Sequence, residues 1–414
     1  MIAKFNEIAT FVPGQSPESK YYSSNKGTPF MQGNRTFMEK YPFIDTYTTF
    51  VTKMANKGDV LISVRAPVGD LNMAPCDLCI GRGLGRIKSK VINNEFIYYV
   101  LKYNIKNLIR QGSGTTYDSI NADILRDWDL IFPTNDKNKQ NMTRLLSNLD
   151  LKIRNNEFLI NQYLDITNTL YDRYFLQFEF PSKNGVGYKS SGGEMIYNAE
   201  FDMEIPKNWK SVKLKEVVSK EKNAIVDGPF GTQMKIEEYT NEGVPVYEME
   251  QLNNMFIIDK PKHFISEDKY QQVKRSAVKN GDIIISKTGT LGLLGIVNNE
   301  EYNKGILVSR LAKITPDPSI IGKYTLLLYL NKINKSGYWL NQSTGSTMPI
   351  LNNELLSNLD ILLPDNDLYI EFENKITDYF DDIYYLQKEN LQLKETRDYL
   401  LPLLMLEQVI INEK

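Results

Sequence analysis

Two stretches of the chain place apolar residues every three or four positions for longer than an ordinary globular helix does. Stepping by four and three from Met142 meets Leu146, Leu149, Ile153, Asn156, Ile160, Tyr163, Thr167, Leu170 and Tyr174, and eight of these ten positions are apolar or aromatic. The same walk from Phe372 meets Ile376, Tyr379, Ile383, Leu386, Asn390, Leu393, Arg397, Leu400 and Leu404, again eight of ten. A 3.5-residue repeat sustained over this length predicts a coiled-coil seam rather than a globular helix face. Met142 to Tyr174 would then span roughly 50 Å at ~1.5 Å per residue. Asn156 and Asn390 interrupt the apolar seam. A polar residue there either pins register and pairing or marks a wet end or a kink.

Elsewhere the apolar runs are short. Val60-Leu61-Ile62-Ser63-Val64 and Ile283-Ile284-Ile285-Ser286 follow Gly-Asp pairs and predict strands that leave a turn. Phe96 to Ile109 and Tyr324 to Ile333 predict helices, and Ile131-Phe132-Pro133 and Leu362-Leu363-Pro364 predict closing strands. Leu307 to Ile314 alternates only loosely. These features come twice, in one order. Lys57-Gly58-Asp59-Val60-Leu61-Ile62-Ser63 returns as Asn280-Gly281-Asp282-Ile283-Ile284-Ile285-Ser286, and Gly69 returns as Gly292. Gln111-Gly112-Ser113-Gly114-Thr115-Thr116 returns as Gln342-Ser343-Thr344-Gly345-Ser346-Thr347. Several matches in the same order predict an internal duplication. The expected class is α+β, with β-rich domains at 1–135 and 205–365 and long helices at 136–180 and 366–414. The Gly/Ser/Lys-rich segment 181–204 is expected to be a linker leading to Ile205-Pro206-Lys207-Asn208-Trp209. The Gly-Asp pairs are read as turn formers, not as catalytic use of Asp59 or Asp282.

Composition narrows the chemistry. The 414 residues are 42% apolar and 24% charged, the mix of an ordinary globular protein of several domains. A net charge of −2 excludes a globally basic binder but leaves room for a local basic surface. Residues 1–135 carry 16 basic and 12 acidic side chains, whereas 366–414 carry 5 and 11. Any DNA-binding surface is therefore local to the domains and modest. No apolar run reaches the roughly 18 residues of a membrane helix. Asn6 and Glu7 interrupt what a signal peptide would need, so a soluble cytoplasmic protein is expected. Cys76 and Cys79 have C-x-x-C spacing without a second pair to complete a zinc site, and read as structural thiols. With His263 as the single histidine, neither a His-rich metal site nor a His-based triad in each half is available. The chain lacks the G-x-x-x-x-G-K-[ST] nucleotide loop and the Asn/Asp-Pro-Pro-aromatic tetrad of amino-methyltransferases.

Taken together, the doubled Gly-Asp-apolar-Ser segments, the doubled Gln-x-x-Gly-x-[ST] segments before a strand ending in Pro, and the long helix after each copy resemble the specificity subunit of a Type I restriction–modification system. Ser191-Gly192-Gly193-Glu194-Met195 leading to Ile205-Pro206-x-x-Trp209, and Ser63-Val64-Arg65-Ala66-Pro67-Val68-Gly69-Asp70 leading to Gly81-Arg82-Gly83-Leu84, add to the resemblance, which covers essentially the whole chain. The chain departs from the pattern in opening its first domain without Ile-Pro-x-x-Trp, so that domain's first strand is expected to be shortened, or its start to lie upstream. The resemblance implies two target-recognition domains, each reading half of a split double-stranded DNA sequence. It implies two long helices packed antiparallel as a spacer, with a pseudo-twofold internal repeat. It also implies docking of two methyltransferase and two motor-nuclease subunits. S-adenosylmethionine would belong to the former, ATP and magnesium to the latter, and no cofactor or active site to this chain.

Base and phosphate contacts need Arg, Lys, Asn, Gln, Ser or Thr on loops or helix ends. The candidates are Arg35, Arg65, Arg82, Arg86, Ser113, Thr115 and Thr116 in the first domain, and Lys287, Thr288, Thr290, Arg310, Thr344, Ser346 and Thr347 in the second. Neighbouring Gly33, Gly112, Gly114, Gly289 and Gly345 would let backbone approach phosphates. Gly-Ser-Thr turns also occur without any ligand. A different class of function is a coiled-coil adaptor joining two protein partners without reading DNA. A third is a free-standing nuclease with metal on carboxylates such as Glu237-Glu238, which read more simply as solvated charge.

Overall fold

The Gly58-Asp59 and Gly281-Asp282 turns each launch a strand whose side chains are all buried, Val60–Ser63 and Ile283–Ser286. Gly58 (φ 83°) and Gly281 (φ 93°) sit in the left-handed region that favours glycine. The Asp side chains close the turns: Asp59 accepts the Asn56 N–H and Asp282 the Lys279 N–H, each at 2.9 Å. The structure, a computed structural model, describes residues 2–111, 120–182, 185–253, 255–298, 300–302, 304–342, 350–364 and 367–411.

Around these strands the two β domains repeat one plan. In the first, Ala9–Pro13, Leu84–Ser89, Val60–Ser63 and Leu71–Met73 form an antiparallel sheet in that order. In the second, Ile225–Asp227, Leu311–Ile314, Ile283–Ser286 and Leu294–Val297 do the same, with Phe256–Ile257 added in parallel at one edge. A second sheet in each domain contains one parallel pair, Thr28–Met31 with Leu78–Ile80 and Val244–Tyr247 with Gly305–Leu307. A two-stranded ladder completes each copy, Ile2–Lys4 with Asp129–Ile131 and Lys210–Lys213 with Asp360–Leu363. The expected helices are Asn94–Gln111 and Lys323–Lys335. The loosely alternating Leu307 to Ile314 is two strands broken by a turn at Ser309-Arg310.

The long helices are Asp136–Tyr171 and Leu368–Met405. The first is shorter than its expected span of 136–180: it passes into a π-turn, Asp172–Leu176, and Phe178 then takes φ 59°. The chain turns there because Phe175, Phe178 and Phe180 all pack with Trp209. The expected linker 181–204 is also partly structured. Met195–Asn198 pairs with Met203–Pro206 as a hairpin, and the Tyr188 ring stacks on Phe180 at 4.8 Å. Aromatic anchors override the flexible Gly/Ser composition.

Two compact units emerge, 1–154 with 392–414 and 155–391. Each contains one β domain and the helix portions packed on it. Within the second unit Asn156 meets Asn390, Tyr163 meets Tyr379 and Tyr171 meets Phe372, so the helix portions run antiparallel. Asn156 Nδ2 donates to Asn390 Oδ1 at 2.9 Å and to Glu389 Oε2 at 2.6 Å, with both asparagines buried. The pair is therefore a buried contact across the seam and not a wet end, the geometry that a register-setting pair would have. Within the first unit, Arg397 occupies a seam position at 3% exposure and meets Asp150 at 2.9 Å and Glu39 at 2.6 Å. Lys40 lies 3.1 Å from Asp150 and 2.5 Å from Glu95, joining the β domain to its helix. Burial opposes the Asp150 charge, but Lys40, the Tyr99 hydroxyl and Arg397 together hold its carboxyl below the ordinary carboxylate range.

Candidate nucleic-acid interface

The serine ending each Gly-Asp strand organises a loop. Ser63 Oγ donates to the Pro67 carbonyl and accepts the Asp70 N–H, both at 2.8 Å. Ser286 Oγ donates to the Thr290 carbonyl at 2.6 Å and accepts the Leu293 N–H at 2.8 Å. The Gly69 and Gly292 N–H groups return to the Ser63 and Ser286 carbonyls, each at 3.0 Å. Both glycines have positive φ, and a Cβ at Gly292 would also lie 2.3 Å from Asn334 Oδ1, so a side chain there is excluded on two counts.

Further backbone bonds bring a second loop alongside. Val64 N–H donates to the Gly83 carbonyl at 2.9 Å, and Lys287 N–H to the Arg310 carbonyl at 2.8 Å. Gly81 and Val308 make the matching donations to Met31 and Tyr247. A third loop closes over this turn. A Cβ at Gly14 would lie 2.3 Å from the Gly81 carbonyl oxygen, and one at Gly228 would lie 2.1 Å from the Val308 carbonyl oxygen. The same backbone framework is thus built twice.

The candidate residues distribute unevenly over it. Arg65 and Arg82 occupy neighbouring loops of the first domain with exposed side chains, and neither forms an ion pair with another described residue. Thr290 and Arg310 are exposed on the matching loops of the second domain, and Thr288 is half-buried. Arg35 reaches Asp45 at 2.6 Å and holds that carboxyl below its ordinary range. Arg86 lies apart from the loops. Its guanidinium turns to Asn56 at 3.3 Å and Asp59 at 3.6 Å, at the far end of the Gly-Asp strand. Lys313 stands in the same relation to Asp282, also at 3.6 Å, so this pairing belongs to the repeated turn. Lys287 is buried at 7% exposure with its ammonium 2.5 Å from Asp227, and ties two loops together. Ser113, Thr115, Thr116, Thr344, Ser346 and Thr347 lie outside the described residues.

Other polar residues join the first cluster unforeseen. Ser16 Oγ accepts the Arg82 N–H at 3.0 Å and donates to Gln32 Oε1 at 2.9 Å, while Asn34 Nδ2 donates to Asp70 Oδ2 at 2.6 Å. The polar run Gln32-Gly33-Asn34-Arg35 after an apolar strand was the available signal. Ser16 had none, because only the fold brings it to Arg82. Arginine, amide and hydroxyl groups on such loops suit phosphate oxygens and base edges. Cys79 is buried in a strand and Cys76 is half-buried, where burial pushes its thiol pKa up. Among the described residues no group of three or more His, Cys, Asp or Glu side chains could hold a metal, and no helix is long and apolar enough to cross a membrane.

Comparison with known proteins gives a consistent result. The family model described as Type I restriction modification DNA specificity domain matches residues 1–164 and 206–395. The chain is 26% identical over 431 aligned residues to the Type I restriction enzyme MjaIX specificity subunit of Methanocaldococcus jannaschii, covering 100% of this chain and 94% of that protein. It is 39% identical over 143 residues to the putative MjaX specificity subunit of the same organism, covering 34% of each chain. The crystal structure of a Type I restriction–modification S subunit from M. genitalium superposes with a TM-score of 0.58 at 16% identity, over 100% of this chain and 96% of that one, a likeness of fold.

Proposed function

Because the chain belongs to the Type I restriction–modification DNA specificity family, we propose that it is the non-catalytic subunit that reads a split duplex sequence for a multisubunit cytoplasmic assembly. Each β domain reads one half-site with its loop end. The long helices set the spacing and carry docking faces for two methyltransferase and two motor-nuclease subunits. S-adenosylmethionine is held by the methyltransferases, and ATP and magnesium by the motor subunits.

The observation that carries this reading is the doubled loop framework, which puts Arg65 and Arg82 in one domain and Thr290 and Arg310 in the other on equivalent, exposed turns. One such end would suit one short stretch of groove, and two suit a bipartite target. Arginine bidentate to guanine, and Ser/Thr hydroxyls to either base type, are the contacts such ends make in the major groove. The test is to assemble the full chain with a cognate methyltransferase and map the methylated sequence, then repeat with Arg65→Ala and Arg310→Ala. A split sequence is expected, with R65A and R310A weakening or relaxing different halves. An assembly that forms but shows no sequence preference would return the chain to the adaptor class.

A further inference from the structure

The second β domain carries a helix that the first lacks. Between the corresponding strands Tyr47–Thr48 and Met54–Ala55 the first domain has only a short irregular connection, whereas the second inserts the helix Glu267–Val273 and a 3₁₀ turn, Lys274–Ser276. This insertion faces the loop after Gly228 across a groove of about 420 Å³. The walls are fixed before any ligand arrives. Ser276 Oγ donates to the Asp227 carbonyl at 2.5 Å, the Asp227 carboxylate meets Lys287 at 2.5 Å, and Lys269 meets Glu238 at 2.8 Å.

What lines the groove is mostly polar and unspent. Arg275 is exposed and has no ion pair with another described residue. Gln233 uses its Oε1 to accept the Phe230 N–H at 3.3 Å, which leaves its Nε2 without a partner among the described residues. Thr232 and Gln272 are exposed. Phe230, at 67% exposure, is a large apolar surface that internal packing does not account for. The groove is continuous with the reading loops, since the Gly228 N–H donates to the Leu311 carbonyl at 3.0 Å, one residue beyond Arg310. An apolar peptide helix would need an apolar floor. A free guanidinium, amide and hydroxyl donors and one aromatic face are instead the complement of a sugar–phosphate strand.

We infer that this groove grips the DNA backbone flanking the second half-site, with Arg275 on a phosphate, Gln233 and Gln272 bonding the same strand, and Phe230 packed on deoxyribose. The assignment rests on the DNA-reading function proposed above and adds to it an asymmetry. The second domain holds the duplex by a clamp that the first does not have, and this clamp supplies affinity without sequence information.

The full chain assembled with its methyltransferase is titrated against two duplexes, one carrying the mapped split target and one random, over a range of salt. Arg275→Ala should weaken both complexes and reduce the slope of log affinity against log salt by about 0.9, the value for one lost phosphate contact. Phe230→Ala should weaken binding several-fold with the slope unchanged. Neither variant should alter the methylated sequence, and matching thermal melting curves would show that both are folded. Wild-type affinity and slope in both variants, with the wild-type assembly still sequence-specific, would overturn the clamp and leave the reading function standing. Intact DNA binding with impaired subunit assembly would give the groove to a protein partner and also overturn it. A wild-type assembly without sequence preference would remove the premise and the clamp with it.

Discussion

Asn156 and Asn390 bond to each other within a seam that is otherwise mainly apolar, and that geometry sets the consequence of removing either. Asn156→Leu alone removes the two bonds that its amide donates, to Asn390 and to Glu389, and should cost about 1–3 kcal/mol. The double replacement Asn156→Leu, Asn390→Leu removes both polar groups and should recover most of that loss. Denaturant unfolding of the two singles and the double checks it, and additive losses would mean that the pair does not couple. Glu407 gives a second test. Hydrogen bonds from Asn138 and Thr134 hold its carboxyl at about 2, well below the ordinary value near ~4.3. A depressed folded-state value stabilises the protein above the ordinary pKa, and that contribution is lost as pH falls from about 4.5 towards 2. Urea midpoints of Glu407→Gln should therefore fall less steeply than wild type across that window. Parallel curves would show that Glu407 is not a source of the acid sensitivity.

At the scale of elements, the second long helix does more than pair. Glu373 accepts the N–H groups of Tyr324 and Thr325 at 3.0 and 2.8 Å, and the Thr325 hydroxyl at 2.6 Å, so it caps the helix Lys323–Lys335 from outside. The Tyr324 ring stacks on Phe380 at 4.3 Å from the same long helix. A carboxylate at a helix N-terminus satisfies orphan donors and complements the helix dipole. Glu373→Ala should cost about 1–2 kcal/mol, in the range of a lost N-cap, and Glu373→Gln less. Hydrogen exchange should show the loss first in the amides of residues 323–326. Protection unchanged there would mean that aromatic packing alone holds the helix.

At the scale of the molecule, the unit boundary falls in the long helices between Arg154 and Asn155 and between Leu391 and Gln392. A heptad inserted at both points preserves the seam phase and leaves the Asp150–Arg397 and Asn156–Asn390 contacts within their units. Seven residues add ~10 Å of helix, about three base pairs of duplex. If the helices are the ruler of the proposed assembly, methylation mapping should find the unread gap longer by that amount with both half-sites unchanged. An active variant with the original gap would exclude them as the ruler. Exchanging residues 1–135 for those of a relative should likewise change one half-site only, and a change in both would defeat the division of labour.

The duplication, the buried Gly-Asp strands and the two long seams are legible in the chain alone, because local periodicity and turn chemistry carry them and each copy states both in full. The sequence also singled out Arg65, Arg82, Thr290 and Arg310, which lie on loops immediately next to those strands. It misjudged 172–180, expected as helix, and 181–204, where Gly/Ser composition suggested a linker, because Phe180 and Tyr188 pack with Trp209, further along the chain, in one aromatic cluster. It named Arg86 and Lys287 as candidate DNA contacts, although the carboxylates of Asp59 and Asp227 lie against them. Whether a charge faces solvent or a buried counter-ion is a matter of distance through space. The same holds for Ser16 beside Arg82 and for the groove between Phe230 and Arg275. Periodicity says which face of an element is buried, but only the packed chain decides what that face meets.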